Sequence, residues 1–282
     1  MVAEERDAAK ARGGRFGLAT LSIGEDPAAS AYLRRIDRTA EQLRVPHRSV
    51  RLAGSARAEE VLAAIRELNG DSSVSGILVL RPLPEHLDEA DVFAALDPIK
   101  DVEAVHPENA GLLALGTPRY IPSTAAAVYH LLDSWLAEVG EEPSAFYRSS
   151  RIVVVGRSNN VGKPAVSLAY AKQSAVTSVD EWASVSGRLG SHTRRGDVLI
   201  VAAGVPGLIR AEHVRAGAVV VDVGINLVEG EDGRPGIVGD VAWDEVVGRA
   251  RAITPVPGGV GPVTDVWLIR NTILAARKGM AT

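Results

Sequence analysis

The sequence predicts a two-domain α/β protein in which each domain is built on a parallel sheet. Three observations predict it. The chain has 282 residues, about twice a typical domain of roughly 150 residues. Short runs rich in Val, Ile, Leu and Ala recur, each followed by a longer stretch with helical spacing. The later runs are almost continuously apolar, as strands buried on both faces of a parallel sheet are.

In chain order, the expected strands are Phe16–Ile23 and Ser75–Leu80, then Arg151–Val155, Ala175–Val179, Asp197–Ala203 and Ala218–Gly224. Between Pro84 and Pro122 the regular pattern lapses, punctuated by Pro98, Pro107 and Pro118. STAAAVYHLLDSWLAEV then reads as a helix opened by Ser123 or Thr124, which places the domain boundary there. A Pro/Gly-rich segment, Thr254–Pro262, precedes a last helical pattern, Asp265–Lys278, positioned to return to the first domain. The expected domains are therefore 1–122 together with a C-terminal helix at 263–282, and 123–262. No internal repeat or low-complexity tract interrupts them.

Composition narrows the function classes. Lys plus Arg number 31 and Asp plus Glu 35, a net charge of −4 with no basic patch, which argues against a nucleic-acid partner. Cysteine is absent, excluding disulfides, thiolate metal sites and a Cys nucleophile; no metal site is expected. The N-terminus MVAEERDAAKARGGRFG is charged rather than apolar, and no uninterrupted apolar run approaches the roughly 18 residues of a membrane span. A soluble cytoplasmic protein is the expectation.

The strand RIVVV runs into GRSNNVGKP, where Gly156 and Gly162 bracket a turn that should open a helix near Pro164. Backbone N–H groups at such a helix N-terminus stabilise a dinucleotide pyrophosphate. The spacing G-x5-G is equally compatible with an ordinary strand-to-helix turn. DVLIVAAGVPG and AVVVDVGIN also end in glycine-containing loops at the carboxyl edge of the sheet, where α/β sheets bind ligands. Gly204, Val205, Pro206 and Gly224, Ile225, Asn226 are thus candidate walls of a nicotinamide pocket, or simply loop residues.

The segments GEDPAASAY, GILVLRPLP, DPIKDVEAVHPENAGLL, VVVGRSNNVGKP, VGINLV, VGDVAWDEV and TPVPGGVGPVT resemble, in order, the signatures of the methylenetetrahydrofolate dehydrogenase/cyclohydrolase family. The resemblance spans nearly the whole chain. It implies an N-terminal α/β catalytic domain, a Rossmann-type NAD(P)-binding domain, a cleft between them for the folate, and a homodimer. It implies two reactions: hydride transfer from 5,10-methylenetetrahydrofolate to NAD(P)+, then attack of water on the methenyl cation. The first needs alignment of two bound molecules; the second needs a group that moves protons. The family's N-terminal strand and much of its first helix are expected to be missing.

Carried over position by position, the resemblance implies catalytic positions at Tyr32, Ile36, Leu80 and Glu103. It implies folate contacts from Tyr32, Leu83, Pro84, Glu103, Gly258, Gly259, Pro262 and Asp265. It implies dinucleotide contacts from Gly156, Arg157, Ser158, Val161, Gly162, Gly204, Val205, Ile225 and Thr264. Several of these positions depart from the family. Ile36 stands where its catalytic lysine would be, and an isoleucine moves no proton; Tyr32, Ile36, Ala40 and Leu43 share a helix face, so Ile36 reads as a packing residue. Leu80 replaces the glutamine that would tune the lysine. Arg34, Arg35 and Arg38 are near but stay protonated. Arg81 reads as a surface residue before it reads as an anion contact. Glu103 replaces the pterin-binding aspartate, one methylene longer, and Asp265 replaces an aliphatic residue, either as a substrate contact or as a helix N-cap.

The cofactor signals oppose each other. Arg157 matches the family arginine that faces the 2′-phosphate and favours NADP, whereas Asp180–Glu181, about 24 residues after Gly156, stand where NAD-preferring folds bind a free ribose hydroxyl. NADP is the expectation on family grounds, NAD the alternative. The expected function is a methylenetetrahydrofolate dehydrogenase with cyclohydrolase activity weak or lost. The alternatives are a hydride-transfer enzyme redirected to a modified folate or other aminal, or a silent folate- or nucleotide-binding homologue.

Overall fold

A computed structural model of the chain describes residues 2–11, 16–229 and 235–279. The chain divides into two compact units, residues 1–123 with 265–282, and residues 124–264.

In the first unit, β1 (Leu18–Ile23), β2 (His47–Leu52) and β3 (Gly76–Val79) form a parallel sheet in the order β2-β1-β3. Its helices are α1 (Val2–Ala11), α2 (Pro27–Gln42), α3 (Ala58–Gly70), α4 (Glu89–Ala94) and α5 (Pro107–Ala114). The strand β2 was not expected, because HRSVRL is an exposed edge strand with no apolar run. Alternation along the strands sorts their side chains into two clusters. Leu18, Leu78 and Leu80 pack with Leu33, Ile36 and Ala40 of α2, whereas Ala19, Leu21, Ile77 and Val79 pack with Val61 and Ile65 of α3 and Phe93 of α4. Helix α2 starts where Asp26 accepts the Ala29 N–H at 2.7 Å and Pro27 occupies the first turn, a position that needs no proline N–H.

The second unit carries a five-stranded parallel sheet in the order β10-β7-β6-β4-β5, made of β4 (Arg151–Val155), β5 (Ala175–Val179), β6 (Val198–Val201), β7 (Val219–Asp222) and β10 (Ala252–Ile253). An antiparallel hairpin of β8 (Asn226–Glu229) and β9 (Pro235–Val238) follows β7. The helices are α6 (Ser123–Glu138), α7 (Pro143–Ser149), α8 (Gly162–Ala171), α9 (Glu181–Val185), α10 (Leu189–Thr193) and α11 (Trp243–Val246). From β4 the chain builds outward to β5 on one side and to β6, β7 and β10 on the other, so the strand order reverses between β4 and β6. A doubly wound sheet receives its ligand at such a point, beyond the carboxyl ends of the strands.

The last helix corrects the sequence reading. α12 spans Val260–Gly279 and does not wait for Asp265, because Pro262 lies in its first turn, where proline is tolerated. Asp265 is therefore inside the helix and does not cap it.

Candidate functional site

Polar side chains of the first unit converge beside its apolar core. Tyr32 projects from α2, Glu103 from the loop between α4 and α5, Ser123 from the start of α6 and Asp265 from α12. The Ser123 hydroxyl, fully buried, donates a short hydrogen bond to Glu103 Oε1. Burial pushes the Glu103 carboxyl up to about 7, reinforced by Asp101 and opposed by the Ser123 hydrogen bond and the Arg81 charge. Tyr32 is held well above the ordinary tyrosine range, chiefly by burial and then by the charges of Glu103 and Asp265, against Arg35 and a hydrogen bond with Ser123; its hydroxyl stays a proton donor.

Asp265, 4% exposed, accepts two hydrogen bonds from Arg35, at 3.0 Å from Nε and 2.9 Å from Nη2. The same guanidinium lies 5.3 Å from the centroid of the Tyr32 ring. Burial raises the Asp265 carboxyl and Arg35 opposes it.

The loop that carries Glu103 is fixed by its neighbours in KDVEAVHP. Buried Asp101 accepts from the His106 N–H at 2.8 Å and from Asn109 Nδ2 at 2.8 Å. Lys100 Nζ donates to the carbonyls of Leu68, Asn69 and Asp71 at the C-terminal end of α3. Arg81 is half-buried, paired with Glu89 at 3.1 Å and stacked 4.1 Å from the Phe93 ring centroid, which replaces the surface reading. Leu83 packs against the cluster that holds Ile77 and Val79, on the sheet face opposite Leu80.

Ile36 and Leu80 are 1% and 4% exposed and belong to one hydrophobic cluster with Leu33, Tyr120 and Leu268. Neither position offers a group that exchanges a proton.

In the second unit, the turn from β4 into α8 has Gly156 at φ +107. A Cβ on Gly156 would come within 2.0 Å of the Ala202 carbonyl oxygen, and one on Gly162 within 2.2 Å of the Gly156 carbonyl oxygen. The glycines are thus required by the packing of the turn on β6 and on itself. The turn leads into the N-terminus of α8, whose dipole gives the positive field that favours a pyrophosphate. Ser158 closes that turn, its carbonyl accepting from the Lys163 N–H at 3.0 Å and its Oγ from the Gly162 N–H at 3.4 Å. Val161 immediately precedes α8.

Beyond β6 and β7, two buried carboxylates organise the loops. Asp240 Oδ2 accepts from the N–H of Ala203 and Gly204 at 2.6 and 2.9 Å, and its Oδ1 from Asn226 Nδ2 at 2.8 Å. Asp222 accepts from the N–H of Gly224, Asp240 and Val241 at 2.9, 3.1 and 3.0 Å. A Cβ on Gly224 would meet Asp240 Oδ1 at 2.2 Å, and one on Gly239 would meet Asp222 Oδ2 at 1.9 Å. Gly224 therefore makes room for a carboxylate. Val205 and Ile225 stay exposed beside this network.

These features coincide with a match to known proteins. Residues 1–103 match the family model described as tetrahydrofolate dehydrogenase/cyclohydrolase, catalytic domain, and residues 122–280 match its NAD(P)-binding domain. The chain belongs to the tetrahydrofolate dehydrogenase/cyclohydrolase family. It is 56% identical over 283 residues to the Bifunctional protein FolD 3 of Rubrobacter xylanophilus, a match covering 100% of this chain and 89% of that protein. Its fold superposes with TM-score 0.88 on the bifunctional FolD of Campylobacter jejuni, at 34% identity and covering 99% and 94% of the two chains. The TM-score is again 0.88 for the Trypanosoma brucei enzyme solved with NADP cofactor and inhibitor, at 32% identity and covering 100% and 94%.

Within the family frame, the structure brings Tyr32, Glu103 and Asp265 together, with Ile36 and Leu80 in the core beneath α2. Pro84 lies in the loop after β3. Gly258, at φ +106 in open space, Gly259 and Pro262 fall in the second unit. Thr264 is buried and bonds back to the Val260 carbonyl at 3.1 Å. Sequence reasoning missed Ser123 as a partner of Glu103, Arg35 as the partner of Asp265, and the Asp222–Asp240 network. The aspartates had a signal, since each lies beside or near a glycine in the DVGIN and VGDV segments; the first two pairings join distant segments and had none. Among the described residues no group of three or more His, Asp or Glu side chains could hold a metal ion. No helix among them is long and apolar enough to cross a membrane.

Proposed function

We propose that the protein oxidises 5,10-methylenetetrahydrofolate to the 5,10-methenyl cation by hydride transfer to NADP+, and that its cyclohydrolase activity is weak or lost. The observation that carries this reading is the placement of Ile36 and Leu80 together in an apolar cluster while the β4–α8 turn and the loops beyond β6 and β7 retain dinucleotide-binding chemistry. Bound NADP+ supplies the hydride acceptor. Gly156, Gly162 and the first turn of α8 hold its pyrophosphate, the loops pinned by Asp240 flank its nicotinamide, and Arg157 and Thr264 belong to the same site. Tyr32, Glu103 and Ser123 orient the pterin, with Leu83, Pro84, Gly258, Gly259 and Pro262 as further folate contacts. Electron density on the folate nitrogens drives the hydride out, so positioning suffices and no protein base is consumed. Hydrolysis of the cation needs a proton taken from water and one delivered to nitrogen, and the apolar pair does neither.

The Arg35–Asp265 pair beside Tyr32 favours a second reading, in which the same hydride chemistry acts on a modified folate. One assay separates the two: methylenetetrahydrofolate with NADP+ or NAD+, following reduced cofactor and methenyl-folate absorbance separately. The first reading expects both to rise together and methenyl-folate to persist; no reduction of either cofactor supports the second and sinks the first. A cytoplasmic homodimer is the proposed assembly, for which the exposed Leu227, Ile237 and Val238 of the hairpin provide apolar surface. Sedimentation as a monomer would remove that part.

A further inference from the structure

The recess beyond the carboxyl ends of β4 and β5 has a volume of about 170 Å³ and is lined by Arg157, Ser178, Asp180, Trp182, Arg188 and His192. Arg157 is largely committed within the protein. Its Nε donates to Ser178 Oγ at 3.2 Å, Nη2 to the Ser178 carbonyl at 2.8 Å and Nη1 to Asp180 Oδ2 at 2.7 Å. The Arg157–Asp180 pair is electrically neutral as a unit, and Asp180 directly follows β5, where a carboxylate accepts from a free ribose hydroxyl. On those two residues alone, a dianionic phosphate would gain little. Arg188 and His192, from the segment between α9 and α10 and from α10 itself, face the same recess. Among the described residues neither side chain has a hydrogen bond or an ion pair. They are the uncommitted nitrogen donors of a recess in which Arg157 and Asp180 cancel.

We propose that Arg188 and His192 are specificity-determining residues that read the 2′-phosphate of NADP, with Arg157 held in reserve by Asp180. The proposal deepens the dinucleotide reading and rests on it. A guanidinium and an imidazole on one side of the recess give a phosphate charge-assisted hydrogen bonds that a ribose diol does not use. Asp180 sets the opposite bias, so the recess admits both cofactors and the Arg188 and His192 donors tilt it toward NADP.

The test is calorimetric titration of the full chain with adenosine 2′,5′-bisphosphate and with AMP, which differ only at the 2′ position. In the R188A/H192A variant the bisphosphate should bind about 10–100-fold more weakly, the range for lost hydrogen bonds to a charged group, with AMP unchanged. D180N should tighten the bisphosphate, a gain that misfolding cannot mimic. Equal weakening of both ligands, unchanged bisphosphate affinity in R188A/H192A, or no gain in D180N overturns the proposal. Binding of NAD or NADP by the wild-type chain keeps the dinucleotide reading intact in each of those cases; a wild type that binds neither overturns both.

Discussion

Arg35 and Asp265, 230 residues apart, are joined by two hydrogen bonds of 3.0 and 2.9 Å, tying α2 to α12. The carboxylate is 5% and the guanidinium 31% exposed, so the acid is the buried partner. Removing Arg35 strands a buried charge, whereas removing both partners does not. R35M should cost about 1–3 kcal/mol in urea unfolding and D265V less, with the double variant recovering part of the R35M loss. Burial raises the stranded Asp265 carboxyl above its unfolded value, so the R35M penalty is absent at low pH and grows as pH rises out of the carboxylate range. Strictly additive losses would show that the pair is not coupled.

Glu103 titrates near neutrality. Pterin N–H and amino groups need a carboxylate as acceptor, and this one is neutral below about 7. Apparent affinity for methylenetetrahydrofolate should therefore rise with pH through that value, with Asp101 and Arg81 as the nearest charges. E103Q should flatten the profile at an affinity about tenfold lower. S123A removes a donor that favours the carboxylate, so it should move the midpoint to higher pH. A flat wild-type profile between about pH 6 and 8 would exclude Glu103 as the binding carboxylate.

Asp240 fixes the loops beyond β6 and β7 through three hydrogen bonds. D240A leaves two backbone N–H groups and an amide without their acceptor, a loss of about 1–3 kcal/mol for each group that stays buried. Both lower thermal stability and weaker dinucleotide binding are expected, whereas the Glu103 pH profile should persist because Glu103 belongs to the other unit. Loss of stability with unchanged cofactor affinity would confine Asp240 to a structural role.

The parallel strands of the second unit were legible because VVV, VLIV and VVVD are buried on both faces, with nothing polar in the pattern before Asp222 at the carboxyl end of β7. The edge strand β2 was not, since HRSVRL is mostly polar and has no apolar run. Ile36 could be placed in the core from its spacing to Tyr32 and Ala40, and the structure puts Leu80 in the same cluster. The sequence could not show that Ser123 meets Glu103 or that Asp265 meets Arg35, because a pairing between distant segments has no local period. The starting point of α12 was misread because a Pro/Gly-rich stretch was taken as wholly irregular, although proline is compatible with a first helical turn.

The position of Ile36 makes the missing amine testable by restoration. I36K alone inserts an ammonium among Leu33, Leu80 and Leu268, where it is costly while charged and unpaired. I36K/L80Q adds a neighbour that can accept its hydrogen bond, and both positions belong to one cluster. The double variant should gain methenyl-folate hydrolysis, by at most the roughly 10²–10⁴-fold typical of general acid–base assistance, and I36K alone should gain less. Both variants are expected to unfold at lower temperature than wild type, so melting curves must accompany the kinetics. Dehydrogenase activity should persist in both, since alignment and not proton transfer supports it. A wild-type chain that already hydrolyses methenyl-folate far above the uncatalysed rate, at a rate indifferent to Ile36 substitution, would place the proton transfer on another residue and end the reading of a weakened cyclohydrolase.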